Sequence, residues 1–326
     1  MRYSGVGGQA VMEGVMMKNR EAYAVAVRKP DQTIETKVSE YNGTIKNKII
    51  RKLPIIRGVI NFVESLYLGM STLMFSASFF EDEEEEAAKK NRESMTKEER
   101  KALEEKEKKQ EKALMGGTVA FSIVLALAIF FALPYFLSGF FRKVIDSETL
   151  IALLEGVIRL VIFVAYIAII SLTPDIKRTF MYHGAEHKCI NCIEHGLELN
   201  VENVRASSKQ HKRCGTSFLL IVMLISIVFF MFIRVDSGVL RLLLRLLLIP
   251  VIAGVSYEFI RLAGRYDNWF VNLLSQPGLW MQRLTTKEPS DDMIEVGIAA
   301  VNAVFDWKKW QEEELFSHSV QGEVNV

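Results

Sequence analysis

The amino-acid sequence predicts a mainly α-helical, polytopic membrane protein with about four transmembrane helices, a small β-containing N-terminal region and a metal-binding loop. Half of its 326 residues are hydrophobic, and its net charge is only +1. The apolar residues stand in blocks, several of which reach the roughly 20 residues that a helix needs to cross a bilayer. Four of the five histidines and all three cysteines fall between His183 and Cys214. These residue types are typical zinc ligands, so the segment concentrates metal-binding capacity.

Residues 1–52 are predicted to form an N-terminal region with a β-hairpin. In YAVAVRKPDQTIETKVSEY, apolar residues alternate on both sides of the turn signal Pro30-Asp31. The preceding GVGGQAVMEGVMM lacks the Lys-Ser/Thr of a nucleotide phosphate loop, so we expect its glycines to allow tight backbone packing. Because Met1–Asn19 contains Glu13 and no compact apolar core, no cleavable signal peptide is expected.

Residues 53–80 are apolar, but Arg57, Asn61 and Glu64 interrupt them at a helical spacing. Because these three residues fall on one face, the segment is predicted to be an interfacial or re-entrant amphipathic helix rather than a span. A true span here would move residues 1–52 to the other side of the membrane. Residues 81–113 are an acidic run followed by mixed Lys and Glu, which is typical of a solvated linker.

Residues 114–262 are predicted to be a four-span membrane domain that includes a His/Cys loop at 174–216. In the second span, Glu155 and Arg159 are four residues apart and can pair on one helix face. Near the start of the last span, Arg241 and Arg245 can extend their long side chains to the interface. The four predicted spans are Leu114–Phe141, Thr149–Leu172, Ser217–Ile233 and Val239–Ile260.

Lysine and arginine are distributed unequally between the loops. Ten lie between residues 87 and 113 and seven between residues 174 and 216, whereas the two short connections hold three together. Positive residues accumulate on the cytoplasmic side, so both termini, the linker, the His/Cys loop and the C-terminal segment 263–326 are predicted to be cytoplasmic. Thiols there stay reduced, which favours ligands over disulfides. The lipid bilayer is the expected partner, and no nucleic acid is expected.

The segment His183-Gly-Ala-Glu186-His187 fits the pattern H-x-x-E-H. On a helix, His183 and His187 project from one face and can share a metal, while Glu186 lies beside them as a catalytic base that polarises a water molecule. Such a motif needs a third ligand, which inverzincins take from a downstream glutamate, here Glu258. His211 and Cys214 are nearer alternatives. The expected cofactor is a divalent transition metal, most simply Zn²⁺.

A structural metal site is the alternative. His183 and His187 with His211 and Cys214 would close a four-ligand zinc site that leaves no coordination position for catalysis. Cys189 and Cys192 form a C-x-x-C pair, but a redox role needs a βαβ context that this chain lacks. Cys192 is therefore expected to be an additional ligand or a plain buried thiol.

Two further acidic regions could belong to the site. Glu13 lies among apolar residues and glycines, and a buried carboxylate needs a partner, so a metal or an arginine is expected near it. In TTKEPSDD, a helix is expected to begin at Ser290 or Asp292. Glu288 and Glu295 could support the site if this segment folds back on the His/Cys loop, whereas the alternative is an ordinary amphipathic helix that packs on the bundle.

Four separated motifs, GGQAVMEGVMM, YHGAEHK, HKRCGTSFL and PGLWMQRLTTKEPSDDMIEVGIAAV, resemble the YqhQ-like family. Its members are bacterial polytopic membrane proteins described as predicted metal-dependent enzymes of unknown function. The resemblance covers nearly the whole chain and implies a membrane location and a suspected metal, with no established substrate. The expected location is the bacterial cytoplasmic (inner) membrane. Cys189 stands where relatives usually have a hydroxyl residue, so an obligatory C-x-x-C pair is not implied. The resemblance places the family's motif residues at Glu13, His183, Glu186, His187, His211 and Cys214.

Two main classes of function follow from the sequence. The first is a metal-dependent hydrolase at the cytoplasmic membrane face, acting on a membrane peptide or a lipid-linked group. The second is a non-catalytic membrane scaffold or assembly factor, whose metal only stiffens the loop. A transporter is less favoured, because the spans are poor in paired polar residues near their centres.

Overall fold

A computed structural model describes residues 3–80 apart from 44, 46 and 48, residues 97–266 apart from 234 and 236, and residues 268–313. The acidic run of the predicted linker, residues 81–86, lies outside the described residues. The described part is mainly helical, as the sequence predicts, with one antiparallel sheet of four strands. The chain divides into two compact units, one formed by residues 1–79 with 164–326 and the other by residues 80–163.

The N-terminal sheet consists of β1 (Val6–Val11), β2 (Gly14–Asn19), β3 (Ala22–Arg28) and β4 (Ile34–Glu40), paired in chain order. The predicted hairpin is confirmed, because β3 and β4 pair antiparallel around the Pro30-Asp31 turn. The glycine-rich stretch before it forms a second hairpin, β1–β2, which the sequence reading did not anticipate. Its turn residue Glu13 has a φ of 48°, an unusual conformation for a residue with a side chain.

The helices of the first unit are α1, which lies before the second unit in the chain, and α5 to α10, which lie after it. Helix α1 spans Ile56–Ala77. Helices α5 and α6 span Pro174–Glu194 and Val201–Ala206. The remaining four are α7 (Gly215–Met231), α8 (Gly238–Arg265), α9 (Trp269–Thr285) and α10 (Asp291–Val304).

The core of this unit lies between the sheet, α5 and α10. Buried side chains of α5 such as Ile190 and Ile193 meet Met293 and Val301 of α10 and the inner face of the sheet. A Cβ at Gly297 would lie 2.9 Å from Cys189 Sγ, so glycine allows α10 to approach α5 closely. Helix α10, with Ser290 at its N-cap position, therefore packs on α5 and the sheet rather than on the bundle.

The second unit contains α2 (Lys97–Leu127), which continues through a π-helical turn at Ala128–Ala132 into α3 (Leu133–Gly139). Helix α4 spans Glu148–Ile170. The predicted pair within this span is present, since Arg159 Nη2 lies 2.8 Å from Glu155 Oε1 and both side chains are buried. Arg159 Nε also donates to the carbonyl of Phe130 in the π-helical turn. Burying two opposite charges together reduces the cost of placing either in an apolar span.

Four described helices are long and apolar enough to cross a membrane, namely Ile56–Phe80, Gly116–Lys143, Glu148–Ile170 and Gly238–Gly264. The predicted number of four therefore agrees, and the chain is a multi-pass membrane protein. One of the four helices is not the one predicted. The segment 53–80, predicted to be interfacial, contains a helix of the required length, whereas the predicted span Ser217–Ile233 is the shorter helix Gly215–Met231.

Candidate metal centre

The two histidines of the H-x-x-E-H motif lie together on α5. This helix begins at Pro174, which suits a first helical position, and it continues unbroken through the motif. Residues four apart lie on one face of a helix, and the imidazole rings of His183 and His187 are 4.4 Å apart between centroids. Both point toward the residue at the start of α7.

That residue is Cys214, the N-cap of α7. Its Sγ lies 3.3 Å from His183 Nε2. One nitrogen of each histidine and the sulfur of Cys214 all lie within 4.8 Å of one another, so these three residues could hold a metal ion. The sequence left the third ligand open between Cys214, His211 and Glu258, and the fold brings Cys214 to the histidine pair.

The imidazoles are oriented for a metal by backbone carbonyls. His183 Nδ1 lies 2.9 Å from the carbonyl oxygen of Thr285, and His187 Nδ1 lies 2.7 Å from that of Lys209. A carbonyl oxygen can only accept, so each Nδ1 carries a proton, and each Nε2 is the nitrogen left to bind a metal. This is the usual arrangement of metal-binding histidines, in which the outer nitrogen is hydrogen-bonded and the inner one faces the ion.

The charge pattern of the three groups also suits a cation. Burial raises the pKa of the Cys214 thiol, but the two imidazoles beside it outweigh burial and hold that pKa well below its ordinary value. Burial lowers the pKa of His183, but the neighbouring Cys214 thiolate outweighs it and raises that pKa to about 9. A metal cation that displaces the Nε2 protons would meet one thiolate and two imidazole nitrogens, a donor set that fits Zn²⁺ or a similar metal.

Glu186 is buried beside the ligand nitrogens. Its Oε2 lies 3.8 Å from His183 Nε2 and 3.9 Å from His187 Nε2. Burial raises the pKa of Glu186, against the opposing influence of the two imidazoles and of a hydrogen bond from the Gly8 amide. A Cβ at Gly8 would lie 2.7 Å from Glu186 Cγ, so β1 can approach the carboxylate only because it carries glycine here. Gly8 is a site residue that the sequence reading did not identify.

His211 lies next to the group but turns to another partner. Its ring centroid is 5.8 Å from that of His187, and its Nε2 faces Glu194 Oε2 at 3.5 Å. Glu194 also accepts from the amide and hydroxyl of Ser4 and pairs with Arg213 at 2.5 Å. Burial raises the pKa of Glu194, but His211, Arg213 and Ser4 outweigh burial and lower it to about 2. The fold therefore gives His211 a carboxylate partner instead of a place in the three-residue group.

The loop before Cys214 is held by side chains that donate to its carbonyls. Lys188 donates to the carbonyls of residues 205 and 207, and Asn191 donates to those of residues 208 and 210. Gln282 of α9 donates to the carbonyl of His211 and accepts from its amide. Buried donors from two helices thus fix the backbone that delivers Cys214 to the centre.

The other predicted site residues lie outside the three-residue group. Glu13 pairs with Arg178 at 2.6 Å and accepts from the Tyr182 hydroxyl, so its expected arginine partner is present. Glu258 pairs with Arg57, 2.6 Å from Nε to Oε1.

The remaining candidates have ordinary partners. Cys192 is buried, and its Sγ contacts the carbonyl of Glu198, as expected for a plain thiol. Glu288 does fold back on the His/Cys loop, where it bridges Lys188 and Lys209 at 3.0 Å each. Glu295 pairs with Arg28 at 2.8 Å.

Comparisons with known proteins identify a family and a relative whose descriptions name no activity. The sequence pattern of the family described as "Protein of unknown function (DUF1385)" matches residues 53–307. The "Uncharacterized protein YqhQ" of Bacillus subtilis (strain 168) is 35% identical over 316 residues, which cover 96% of each chain. No solved structure matches the chain.

Proposed function

The chain belongs to the DUF1385 family, and from its site we propose a metal-dependent membrane enzyme, a hydrolase acting at the cytoplasmic membrane face. Its ligands are His183, His187 and Cys214, and its general base is Glu186. The observation that carries the proposal is a donor set of three residues with a buried carboxylate less than 4 Å from two of the ligand atoms. Three protein ligands leave a coordination position open, which distinguishes catalytic from structural zinc sites.

Each residue of the site has a task in this reaction. A bound Zn²⁺ would supply a Lewis acid that lowers the pKa of water. Glu186 Oε2 would accept a proton from water as the water oxygen forms a bond to the reacting centre of the substrate, and would return that proton to the leaving group as the scissile bond breaks. The Gly8 amide holds the carboxylate in place, and the carbonyls of Thr285 and Lys209 hold the imidazoles. His211 is assigned to the supporting network of Glu194 rather than to the ligands.

The way the chain folds back on itself supports a topology in which α1 does not cross the membrane. The sheet, α5 and α10 share one core, so residues 6–40, 174–194 and 291–304 must lie on the same side of the bilayer. Three long apolar helices separate the sheet from α5, and only an even number of them can cross. The helices in residues 116–170 form a pair joined by a short turn and are more apolar than α1, so we assign the two crossings to them.

The surface of α1 agrees with an interfacial position. One face is buried against α8 and β1, where Gly58 meets Gly254 and Gly69 meets Gln9. The opposite face exposes large apolar side chains, as expected for a helix that lies at the membrane surface. These exposed residues are Val63, Leu66, Tyr67, Met70, Leu73 and Met74.

Helices α5 and α10 share the core, so the chain between them must also cross the membrane an even number of times. We therefore assign α7 as a membrane span together with α8. Its 17 residues rise about 25 Å, close to the lower limit for the hydrocarbon core. The excess of Lys and Arg then assigns the shared core, both termini and the metal centre to the cytoplasm. Because Cys214 immediately precedes α7, the centre lies at the membrane surface, which favours a membrane peptide or a lipid-linked substrate.

The alternative is a scaffold or assembly factor with a structural metal. It is favoured by the loop before Cys214, whose carbonyls are held by Lys188, Asn191 and Gln282, as in a site built to stiffen the protein. In that case a metal would join α5 to the start of α7, and either Glu186 or His211 would complete a closed shell.

X-ray absorption on the purified zinc-loaded protein separates the two functions. A hydrolase should show one sulfur, two imidazoles and one further light ligand that exchanges with added anions such as azide. Three imidazoles with one sulfur, or a shell that does not respond to anions, would favour the scaffold. The matched variant Glu186→Gln tells whether the fourth ligand is this carboxylate, because removal of a ligating carboxylate changes the spectrum.

A further inference from the structure

We propose that α9 is a membrane-surface arm, which binds the lipid headgroup region with one face and holds one wall of the metal centre with the other. The outer face of α9 carries aromatic and aliphatic side chains that the described part of the chain leaves largely exposed. Trp269 is 76%, Leu273 59% and Trp280 61% exposed. At 100° per residue, these three positions lie within about 40° of one another around the helix.

The composition of this outer face suits a bilayer surface better than water. Tryptophan is enriched where a membrane meets water, because its ring is apolar and its N–H group is polar. Phe270 and Leu274 widen the apolar face, and Arg283 is exposed in the last turn, where its side chain can reach phosphate groups. An amphipathic helix with such a face lies in the plane of the interface.

Two neighbours place α9 at the depth of the interface. Helix α8 is long enough to cross the bilayer and ends at Arg265, and α9 begins at Trp269, so the intervening chain reaches at most about 14 Å. Midway along α9, a Cβ at Gly278 would lie 2.8 Å from Ser217 in the first turn of α7. Because α9 is tied both to the end of one apolar helix and to the start of another, we identify the occupant of its outer face as lipid.

The inner face of α9 reaches the metal centre directly. Gln282 bonds the amide and carbonyl of His211 and the hydroxyl of Ser217. The carbonyl of Thr285, the last residue of α9, accepts from His183 Nδ1. Lifting α9 from the membrane would therefore withdraw the carbonyl that orients His183 and loosen the loop that carries Cys214. This coupling needs the metal centre but does not need it to be catalytic.

Spin labels on single introduced cysteines test the membrane contact in nanodiscs of phosphatidylcholine and phosphatidylglycerol. The three native cysteines are buried, so exposed positions should react selectively. Labels at Leu273→Cys and Trp280→Cys should collide more with oxygen, which concentrates in lipid, than with a water-soluble nickel chelate. The matched control is Leu197→Cys, an exposed leucine at 42% in the polar turn after α5, which should show the reverse. Labels at 273 and 280 that favour the nickel chelate, or that are shielded from both reagents by a protein partner, would overturn the proposal.

Zinc affinity in the same nanodiscs tests the coupling. The double variant Leu273→Glu/Trp280→Glu places two charges on the lipid face and should weaken zinc binding at least tenfold, the lower end of the effect of lost outer-shell contacts. Leu197→Glu should change the affinity less than twofold. Equal affinity in the double variant and the wild type would overturn the coupling, and the labels report the membrane contact even if the charged variant folds poorly.

Discussion

Gly8→Ala tests directly whether β1 positions the Glu186 carboxylate. The added Cβ would lie 2.7 Å from Glu186 Cγ, 2.9 Å from Glu186 Oε1 and 2.7 Å from the carbonyl oxygen of Met16. Ordinary contacts to a Cβ begin at 3.4 Å, so Glu186 Cγ or the strand must retreat by about 0.7 Å. Gly7→Ala is the matched control in the same strand, because a Cβ there meets nothing within 4 Å.

The expected magnitude follows from the role of the carboxylate. Outer-shell changes cost about 10- to 100-fold in metal affinity, and we expect Gly8→Ala to weaken zinc binding by about tenfold. Gly7→Ala should leave zinc affinity unchanged and alter unfolding free energy by less than about 1 kcal/mol. The measurement is a zinc titration against a competing chelator, with thermal melting of the metal-free variants as a check on folding.

A double-mutant cycle separates positioning from general distortion of the strand. In a Glu186→Gln background the carboxylate charge is gone, so Gly8→Ala should change zinc affinity less than twofold. An equal loss in both backgrounds would mean that the substitution only distorts the sheet. Wild-type affinity of Gly8→Ala itself would refute the role of Gly8 altogether.

Three other predictions concern the ligands, the topology and the supporting network. His183→Ala/His187→Ala should abolish stoichiometric zinc in the purified protein as measured by elemental analysis, and full retention would reject these ligands. Membrane-impermeant thiol reagents added to intact cells should label Ser147→Cys and Ser237→Cys and miss Ser208→Cys, and labelling of the last would overturn the orientation. Glu194→Gln should lower stability at pH 7 by about 3 kcal/mol, because the pKa of Glu194 is lowered from 4.5 to about 2 in the folded protein. A carboxyl group whose pKa is lowered by folding stabilises the folded protein fully at pH values above the pKa of the unfolded chain. The stability difference between wild type and variant should therefore shrink in thermal melts as the pH falls from 4.5 toward 2. A stability difference that does not depend on pH would contradict the assignment.

The sequence was most informative where structure is local. Alternation around Pro30-Asp31 gave the hairpin, long apolar runs gave the membrane helices, and the spacing of His183 and His187 placed both on one helix face. Each of these features depends on neighbours within a few turns of the chain, so composition and periodicity are enough to predict it.

The choice between Cys214 and His211 could not be made in this way. The two residues stand three positions apart in one polar segment, and both are good zinc ligands. Tertiary contacts distinguish the two residues. The Nε2 atom of His211 faces the carboxylate of Glu194. The carbonyl of Thr285, about a hundred residues from His183 in the chain, orients His183 toward Cys214. The role of Gly8 was equally hidden, since its contact with Glu186 joins segments that lie far apart in sequence.

The proposed interfacial position of α1 rests on a tertiary constraint rather than on local sequence. The length and apolar content of α1 suit a membrane span. In the sequence, only the polar residues on one helix face predicted an interfacial helix instead. The shared core of the sheet, α5 and α10 supplies a stronger constraint, because it fixes how many times the intervening chain can cross.

Glu186→Gln tests the central claim most directly, that the centre is catalytic and Glu186 is its base. The substitution keeps the size of the side chain and removes its basicity, so the variant should fold and retain stoichiometric zinc at micromolar protein. In a strain that lacks the protein, it should fail to restore whatever defect the wild type corrects. Full complementation by zinc-loaded Glu186→Gln, together with loss of folded protein in Cys214→Ala, would contradict the hydrolase and identify the centre as structural.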